Sequence, residues 1–239
     1  MIKSWWILTA AALAGTTLSA HAFADDARAR KMMEEAFNRR YHWNENFKGF
    51  SADFALTREG KTIKGTIKAD ATKLHGGVTV DCDDAYAKKL VTDVLSSTIT
   101  HTRGSSFDKG FGSCSFAIAG EGAHGGTKIA LEGHAFFKDF TIKDGNIIEN
   151  HGGHGEMSSE VKVHQVVWLA DSGKILPRAY SFTIKNGDSE QSGKNLESWS
   201  EVDHVWLPTW WRLSRNEGST APVESTLTME NIKVEQAGH

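Results

Sequence analysis

The pattern of apolar positions changes from a helical period to a strand period early in the chain. Between residues 25 and 43, apolar side chains recur at steps of three and four, with arginine and glutamate between them. This spacing predicts an amphipathic helix, with Asp25 or Asp26 as its N-cap. Two alternating runs follow, joined by the turn at residues 58–61. They predict a β-hairpin with one face exposed to water, and a third strand is predicted over residues 78–82.

A second amphipathic helix is predicted over residues 83–97, with Asp83 or Asp84 as its cap. After this helix the pattern predicts only strands, including a hairpin that turns at Asp144 and Gly145. Two helices and about ten short strands indicate an α+β domain built on a large antiparallel sheet.

The segment HVWLPTWWRLS departs from simple alternation because it is apolar on both faces. Val205, Leu207, Trp211 and Leu213 point one way, and Trp206 and Trp210 point the other way. Such a strand is covered on both sides or lines an internal cavity. Ordinary core packing with one surface aromatic residue is the alternative interpretation.

The first residues have the three parts of a secretory signal peptide. Lys3 supplies the positive charge, a short apolar run follows, and two A-x-A sites end the segment. We expect cleavage after Ala24, which divides the chain into a signal peptide at residues 1–24 and a single α+β domain at residues 25–239. A retained N-terminal anchor is the alternative. The mature protein is expected in the periplasm or outside the cell, without a transmembrane segment.

The charge and the cysteines narrow the function classes only a little. The formal net charge is −3 and no basic stripe is present, so we expect no nucleic-acid partner. The cysteines are Cys82 and Cys114. In an oxidising compartment they are a candidate disulfide, and two buried thiols are the equally weighted alternative.

Histidine is the polar residue type that offers candidate chemistry. His151 and His154 lie three residues apart in the stretch ENHGGHGEM, with Glu156, Met157 and His164 nearby. Imidazole nitrogens suit Zn²⁺ or Cu²⁺, and Met157 would favour Cu⁺. We therefore consider a metal site made of His151, His154, Glu156 and His164. Solvated histidines in a glycine-rich loop are the favoured alternative, and no other cofactor is expected.

Short motifs elsewhere do not indicate catalysis. GEGAHG, at residues 120–125, matches G-x-G-x-x-G but is followed by a strand, so no helix N-terminus can hold a pyrophosphate. Ser106 and Lys109 match S-x-x-K without the accompanying elements of a β-lactamase-type site. These observations favour a protein that is not an enzyme.

Residues 36–56, AFNRRYHWNENFKGFSADFAL, resemble the opening of a bacterial family of unknown function, mainly cyanobacterial and exported. Its members have a helix ending in an N-R-Y-x-W-x-E-N-F-like run, followed by a G-[FY]-x-A-D strand. The matching positions are Asn38, Arg40 (one residue later than the usual arginine), Tyr41, Trp43, Glu45, Asn46, Phe47, Gly49, Phe50, Ala52 and Asp53. The resemblance covers most of residues 30–185 and implies no particular activity, catalytic residue or cofactor.

A second resemblance is to the periplasmic lipoprotein-carrier (LolA-like) superfamily. The first helix, the F-x-A-D-F-x-L run, a G-x-I strand and especially Val205 to Thr209 (VWLPT) are similar to that fold. The resemblance implies a curved half-barrel sheet with both helices packed on its concave face. It implies no individual site residue.

We therefore predict an exported, non-catalytic domain that binds a lipid or another hydrophobic ligand in the concavity of its sheet. Aromatic rings with a polar N–H or O–H suit the mouth of such a pocket. The candidate ligand-binding residues are Phe37, Tyr41, Tyr86, Leu90, Trp199, Trp206, Trp210 and Trp211. Metal binding by the histidine-rich segment is the first alternative, and an enzyme or a partner-binding scaffold is the second.

Overall fold

The computed structural model describes residues 25–73, 76–122, 124–216 and 221–237. The predicted signal peptide, residues 1–24, lies outside them. Three helices occur in the described ranges: α1 (Ala27–Arg39), α2 (Ala85–Thr102) and α3 (Phe107–Phe111). None of the helices in this part of the chain has the length and apolarity needed to cross a lipid bilayer.

Twelve strands are found in the same ranges. They are β1 (Phe47–Arg58), β2 (Lys61–Asp70), β3 (Val78–Asp81), β4 (Ser115–Glu121), β5 (Thr127–Glu132), β6 (Phe137–Lys143), β7 (Asn146–His154), β8 (Met157–Leu169), β9 (Lys174–Asn186), β10 (Ser189–Val202), β11 (Val205–Asn216) and β12 (Val223–Gln236).

These strands form one open antiparallel sheet. Its order is β3-β2-β1-β12-β11-β10-β9-β8-β7-β6-β5-β4, so the strands from β4 to β12 each pair with their neighbours along the chain. The exception to this sequential pairing is β1, which pairs with β12 as well as with β2. The predicted α+β class with a large antiparallel sheet is confirmed.

The two predicted helices begin where the sequence placed their caps. The Asp26 carboxylate accepts hydrogen bonds from two backbone N–H groups of the first turn of α1. The Asp84 carboxylate accepts one from Ala87 in α2. The Asp144–Gly145 turn is confirmed too, with φ angles of 51° and 71° that match the mirror-image turn favoured in two-residue hairpins.

The helix α3 corrects the expectation that only strands follow α2. It contains five residues and is capped by Ser106, whose hydroxyl accepts a hydrogen bond from the Lys109 N–H. A helix of this length is too short to show a periodic apolar stripe. It buries Phe107 and Phe111, one turn apart, against α1 and the sheet.

Buried apolar side chains form two clusters rather than one. The large cluster joins α2 to β1, β2, β3, β11 and β12, and includes Phe54, Leu56, Val91, Leu95, Leu207, Trp211, Leu213 and Leu227. The small cluster joins α1 and α3 to β4, β5 and β6, and includes Met33, Phe37, Phe107, Phe111, Phe116, Ile129 and Phe140. The helices thus cover the two lateral parts of one face of the sheet, and β8, β9 and β10 lie between these parts.

The segment at residues 40–46, which joins α1 to β1, crosses one end of these middle strands. The Tyr41 N–H donates to the carbonyl of Ile175 at the start of β9. The indole N–H of Trp43 donates to the carbonyl of Trp206 at 3.0 Å. The N–H of Trp206 in turn donates to the Tyr41 hydroxyl oxygen at 3.1 Å. This end of the sheet is therefore closed, whereas among the described residues no such segment crosses the end near Met157 and Ile184.

Candidate functional site

The middle of the helix-bearing face carries half-buried apolar side chains. In an antiparallel sheet, directly opposed residues share one face. The pairing Arg215–Gly193–Phe182–Val161–Asn150–Phe140 therefore runs on the helix-bearing face from β11 to the small cluster. The same alternation places Val163, Tyr180 and Ile184 on this face. We call Val161, Val163, Tyr180, Phe182 and Ile184 the central strip; all five are half-buried.

The central strip lies between the two helix-covered clusters and extends towards the open end of the sheet. Met157 lies on the same face at that end and is 37% exposed. At the closed end, Leu169, Ile175 and Leu176 are buried. A row of half-exposed apolar side chains therefore leads from the open end towards the core.

A chain of hydrogen-bonded polar side chains connects β11, β10 and β9 at the edge of the central strip nearest α2. Arg215 donates to the Asn195 side-chain oxygen, and the Asn195 amide donates to the Tyr180 hydroxyl oxygen at 2.6 Å. The Tyr180 hydroxyl donates to Glu197 at 2.8 Å. Every donor in this chain points towards Glu197, which is 3% exposed. The Arg215 guanidinium also lies over the Phe182 ring, 4.9 Å from its centroid.

Burial changes the protonation behaviour of this polar chain. It raises the pKa of Glu197 to about 7, against the opposing hydrogen bond from Tyr180 and the charge of Arg215. Burial and the neighbouring Glu197 raise the pKa of Tyr180 well above its usual range. The pKa of Arg215 is lowered, chiefly by burial. Glu197 is thus a buried carboxyl that titrates near neutral pH.

The opposite face of the sheet carries a charged group that we call the outer cluster: Lys128, Asp139, Glu149, His151, Glu160 and Lys162. Its members lie on four neighbouring strands, where Asp139 opposes His151, His151 opposes Glu160 and Glu149 opposes Lys162. Glu149 is 4% exposed, and one of its oxygens accepts a hydrogen bond from the Thr141 hydroxyl. The outer cluster therefore contains a buried carboxylate below partly exposed charged groups.

His151 is held at both ring nitrogens. Its Nδ1 lies 2.6 Å from Asp139 Oδ1, and its Nε2 lies 3.1 Å from Glu160 Oε1. Partial burial disfavours the protonated imidazole, but the hydrogen bonds with Asp139 and Glu160 outweigh it and raise the pKa of His151. Lys162 Nζ lies 2.8 Å from Glu160 and 3.5 Å from Glu149, so an ammonium group shares the same carboxylates.

The family model described as a protein of unknown function, DUF3386, matches residues 24–234. The chain belongs to the DUF3386 family. The predicted membership of an unknown-function family is confirmed, while its cyanobacterial distribution stays a prediction. Among curated proteins, none matches this DUF3386 chain by sequence.

Solved structures that resemble this DUF3386 chain share little sequence with it. A LolA superfamily protein from Nitrosomonas europaea is 9% identical with a TM-score of 0.30, over 88% of this chain and 94% of its own. A chain in the MucA/MucB complex of Pseudomonas aeruginosa is 11% identical with a TM-score of 0.22, over 88% of this chain and 100% of its own. These similarities concern the fold alone, since a fold does not fix a function.

The residues predicted to bind a ligand lie in several places. Leu90 and Trp211 are buried in the large cluster, with Tyr41 and Tyr86 at its margin, and Phe37 belongs to the small cluster. Trp199 donates its indole N–H to the Pro177 carbonyl. Trp210 points to the face opposite Trp211 and lines a shallow depression with Leu196 and Arg212. Tyr41 and Trp206 are joined by the hydrogen bond from the Trp206 N–H to the Tyr41 hydroxyl oxygen.

The residues predicted to bind a metal are similarly dispersed. His151 lies in β7, and His154, three positions later on this strand, falls on the opposite face. His164 is on the same face as His151 but bonds to Ser181, about 13 Å further along the sheet by strand rise. Glu156 is exposed in the turn after β7. The structure brings His151 together with Glu149 and Glu160 instead.

The expected glycine-rich loop around His151 is wrong, because these residues continue β7. Gly152 is paired with Phe137 and Ser159, and a Cβ on it would lie 2.4 Å from the Phe136 ring. The glycine therefore admits an aromatic ring against the strand rather than marking a loop.

The two cysteines of the candidate disulfide lie in different parts of the structure, Cys114 buried and Cys82 half-buried. Both are free thiols. Cys114 belongs to the small cluster, whereas Cys82 packs at the edge of the large cluster. Because the two clusters lie at opposite ends of the strand order, Cys82 and Cys114 pack separately as small apolar side chains.

Sequence reasoning missed the central strip, Glu197 and most of the outer cluster. The alternation of Tyr180, Phe182 and Ile184 was visible in AYSFTIK. The spacing of Glu149 and His151 by two residues also placed both on one face of a strand. The sequence does not show the strand pairing that brings Asp139 and Glu160 next to His151. It also does not show that the helices leave β8 to β10 uncovered.

Proposed function

We propose that this protein binds the apolar chain of an amphipathic ligand, such as a lipid, along the central strip. The observation that carries this proposal is the gap between the two helix-covered clusters. Val161, Val163, Phe182 and Ile184 are contiguous on the helix-bearing face and stay half-exposed there. Contiguous exposed apolar surface on a soluble domain usually marks a binding site.

The surroundings of the strip support an amphipathic rather than a purely apolar ligand. Arg215 lies beside Phe182 and supplies a positive charge at the margin of the strip. Each methylene transferred from water to the strip would contribute about 0.8 kcal/mol. An acyl chain with an acidic head group fits this combination of an apolar floor and a cationic margin.

A variant that places one negative charge in the central strip tests the proposal. We expect purified protein to bind a fluorescent fatty-acid probe with a micromolar dissociation constant, and Ile184→Asp to weaken this binding at least about tenfold because a carboxylate replaces apolar contact surface. The measurement is a fluorescence titration, with thermal unfolding as the check that the variant is folded.

Lys185→Asp is the matched control. Lys185 is the next residue on β9, is exposed and points to the opposite face, where it pairs with Glu190 at the surface. Its replacement should leave probe binding unchanged. Equal losses in both variants would contradict binding in the strip. The proposal also fails if organic extraction of natively purified protein yields no lipid and the probe does not bind.

We propose further that the protein acts in the periplasm or outside the cell. The charged, apolar and A-x-A parts of residues 1–24 support export. The intact mass of protein purified from its native source should correspond to a chain that begins at Asp25. A mass that includes residues 1–24 would refute cleavage at this position.

A further inference from the structure

Three side chains of the outer cluster have the donor atoms and the spacing of a metal site. One atom each from Glu149, His151 and Glu160 lies within 4.8 Å of the other two. His151 Nε2 is 3.1 Å from Glu160 Oε1 and 3.9 Å from Glu149 Oε1. Ligands about 2.1 Å from a common zinc ion are about 3–4 Å apart. The distances from His151 Nε2 to the two glutamate oxygens are therefore already close to those between ligands of one zinc ion.

The strands hold these ligands in fixed positions. Glu149 and His151 alternate on β7, and Glu160 on β8 directly opposes His151. Ligands on paired strands are better fixed than ligands on a loop. Side chains of His151 and Glu160 are about one-third exposed, at 33% and 37%, so an ion can reach them from solvent.

A second carboxylate orients the imidazole. Asp139 Oδ1 lies 2.6 Å from His151 Nδ1, so the neutral imidazole donates from Nδ1 and turns the Nε2 lone pair towards Glu160, where an ion would bind between them. Histidine ligands of metals almost always have such a partner on the other nitrogen, and it fixes the tautomer and the ring orientation. This contact separates the arrangement from a chance group of surface carboxylates.

The net charge of the outer cluster favours the binding of a divalent cation. Three carboxylates, those of Asp139, Glu149 and Glu160, face the ammonium groups of Lys128 and Lys162. With a neutral His151 these five charged groups sum to −1. If a divalent ion replaces Lys162 between the two glutamates, the sum becomes zero. The Lys162 side chain is 32% exposed, so its ammonium can move into solvent.

We propose that Glu149, His151 and Glu160 form a Zn²⁺ site on the face opposite the central strip, with Asp139 as the positioning residue and Lys162 as an intramolecular competitor. Solvent supplies the remaining coordination position, as in open zinc sites with three protein ligands. The site is independent of the proposed ligand-binding function, because the two use opposite faces of the sheet.

The experiment is a calorimetric titration of Zn²⁺ into purified protein that has been treated with a chelator and dialysed. We expect about one Zn²⁺ per chain. His151→Ala and Glu160→Gln should each weaken binding at least about tenfold, and Asp139→Asn about tenfold through loss of ring orientation. Lys162→Met should tighten it about fivefold, the factor expected for removal of one partly exposed ion pair.

His154→Ala is the matched control, since His154 lies on the same strand but on the opposite face. It should leave Zn²⁺ affinity unchanged. Zn²⁺ should also raise the thermal midpoint of the wild type and not that of His151→Ala. The assignment is overturned if the wild type shows no saturable binding at micromolar Zn²⁺, or if His154→Ala loses as much affinity as His151→Ala. Lys162→Met binding no more tightly than the wild type would contradict the competition.

Discussion

Replacing Trp211 by alanine should lower the free energy of unfolding by about 3–5 kcal/mol. Trp211 is 0% exposed and packs in the large cluster between β11 and α2. Its removal deletes a large apolar surface and leaves a cavity that the sheet cannot easily close. Urea unfolding followed by far-ultraviolet circular dichroism measures the effect.

Trp210→Ala is the control for the size of the removed side chain. Trp210 is the preceding residue and points to the other face, where it is half-buried beside Leu196 and Arg212. Its replacement should lower the free energy of unfolding by only about 1 kcal/mol, because the side chain is open to water and its removal leaves no closed cavity. Similar losses for Trp210 and Trp211 would show that the two faces of β11 are not packed as described.

Glu197→Gln should stabilise the protein at pH 8 and have little effect near pH 4. Burial raises the pKa of Glu197 to about 7 from an ordinary 4.5, so the folded state keeps a proton that the unfolded state has lost between these values. The resulting contribution to stability is fully present below pH 4.5 and is lost as the pH rises through about 7. The pKa difference corresponds to about 3 kcal/mol. Glutamine keeps an acceptor for Tyr180 without the charge.

The measurement is the thermal midpoint of the wild type and the variant across this pH range. The difference between them should grow with pH and level off above neutrality. Glu190→Gln is the control, because Glu190 lies on the same strand with its side chain 55% exposed in a surface pair with Lys185. It should shift the midpoint little at any pH. A Glu197→Gln effect that is constant from pH 4 to pH 8 would rule out titration of this carboxyl.

Local physics made the helices and hairpins predictable from the sequence. The stripe of Ala29, Met33, Ala36 and Phe37 matches the buried face of α1, because a helical period of 3.6 residues leaves one consistent solution. Caps and mirror-image turns depend on a few neighbouring residues, so the sequence narrowed the first cap to Asp25 or Asp26 and placed the Asp144–Gly145 turn.

The candidate site was harder to predict because it depends on long-range pairing. Phe182 and Ile184 have the same alternating pattern as the buried Phe54 and Leu56 in β1. Only the positions of the helices decide which of these strands is covered. Likewise His151 and His154 looked like one group in the sequence, yet a separation of three residues on a strand directs them to opposite faces.

The pairing of β1 with β12 has a consequence for the order in which the chain can fold. Strands β4 to β12 pair sequentially, so each hairpin needs only nearby residues. By contrast, Leu56 of β1 pairs with Leu227 of β12, and both are fully buried in the large cluster. Closing so long a loop is slow compared with forming hairpins. During synthesis, the core formed by α2 and β1 to β3 therefore stays incomplete until the fourteen residues of β12 have left the ribosome.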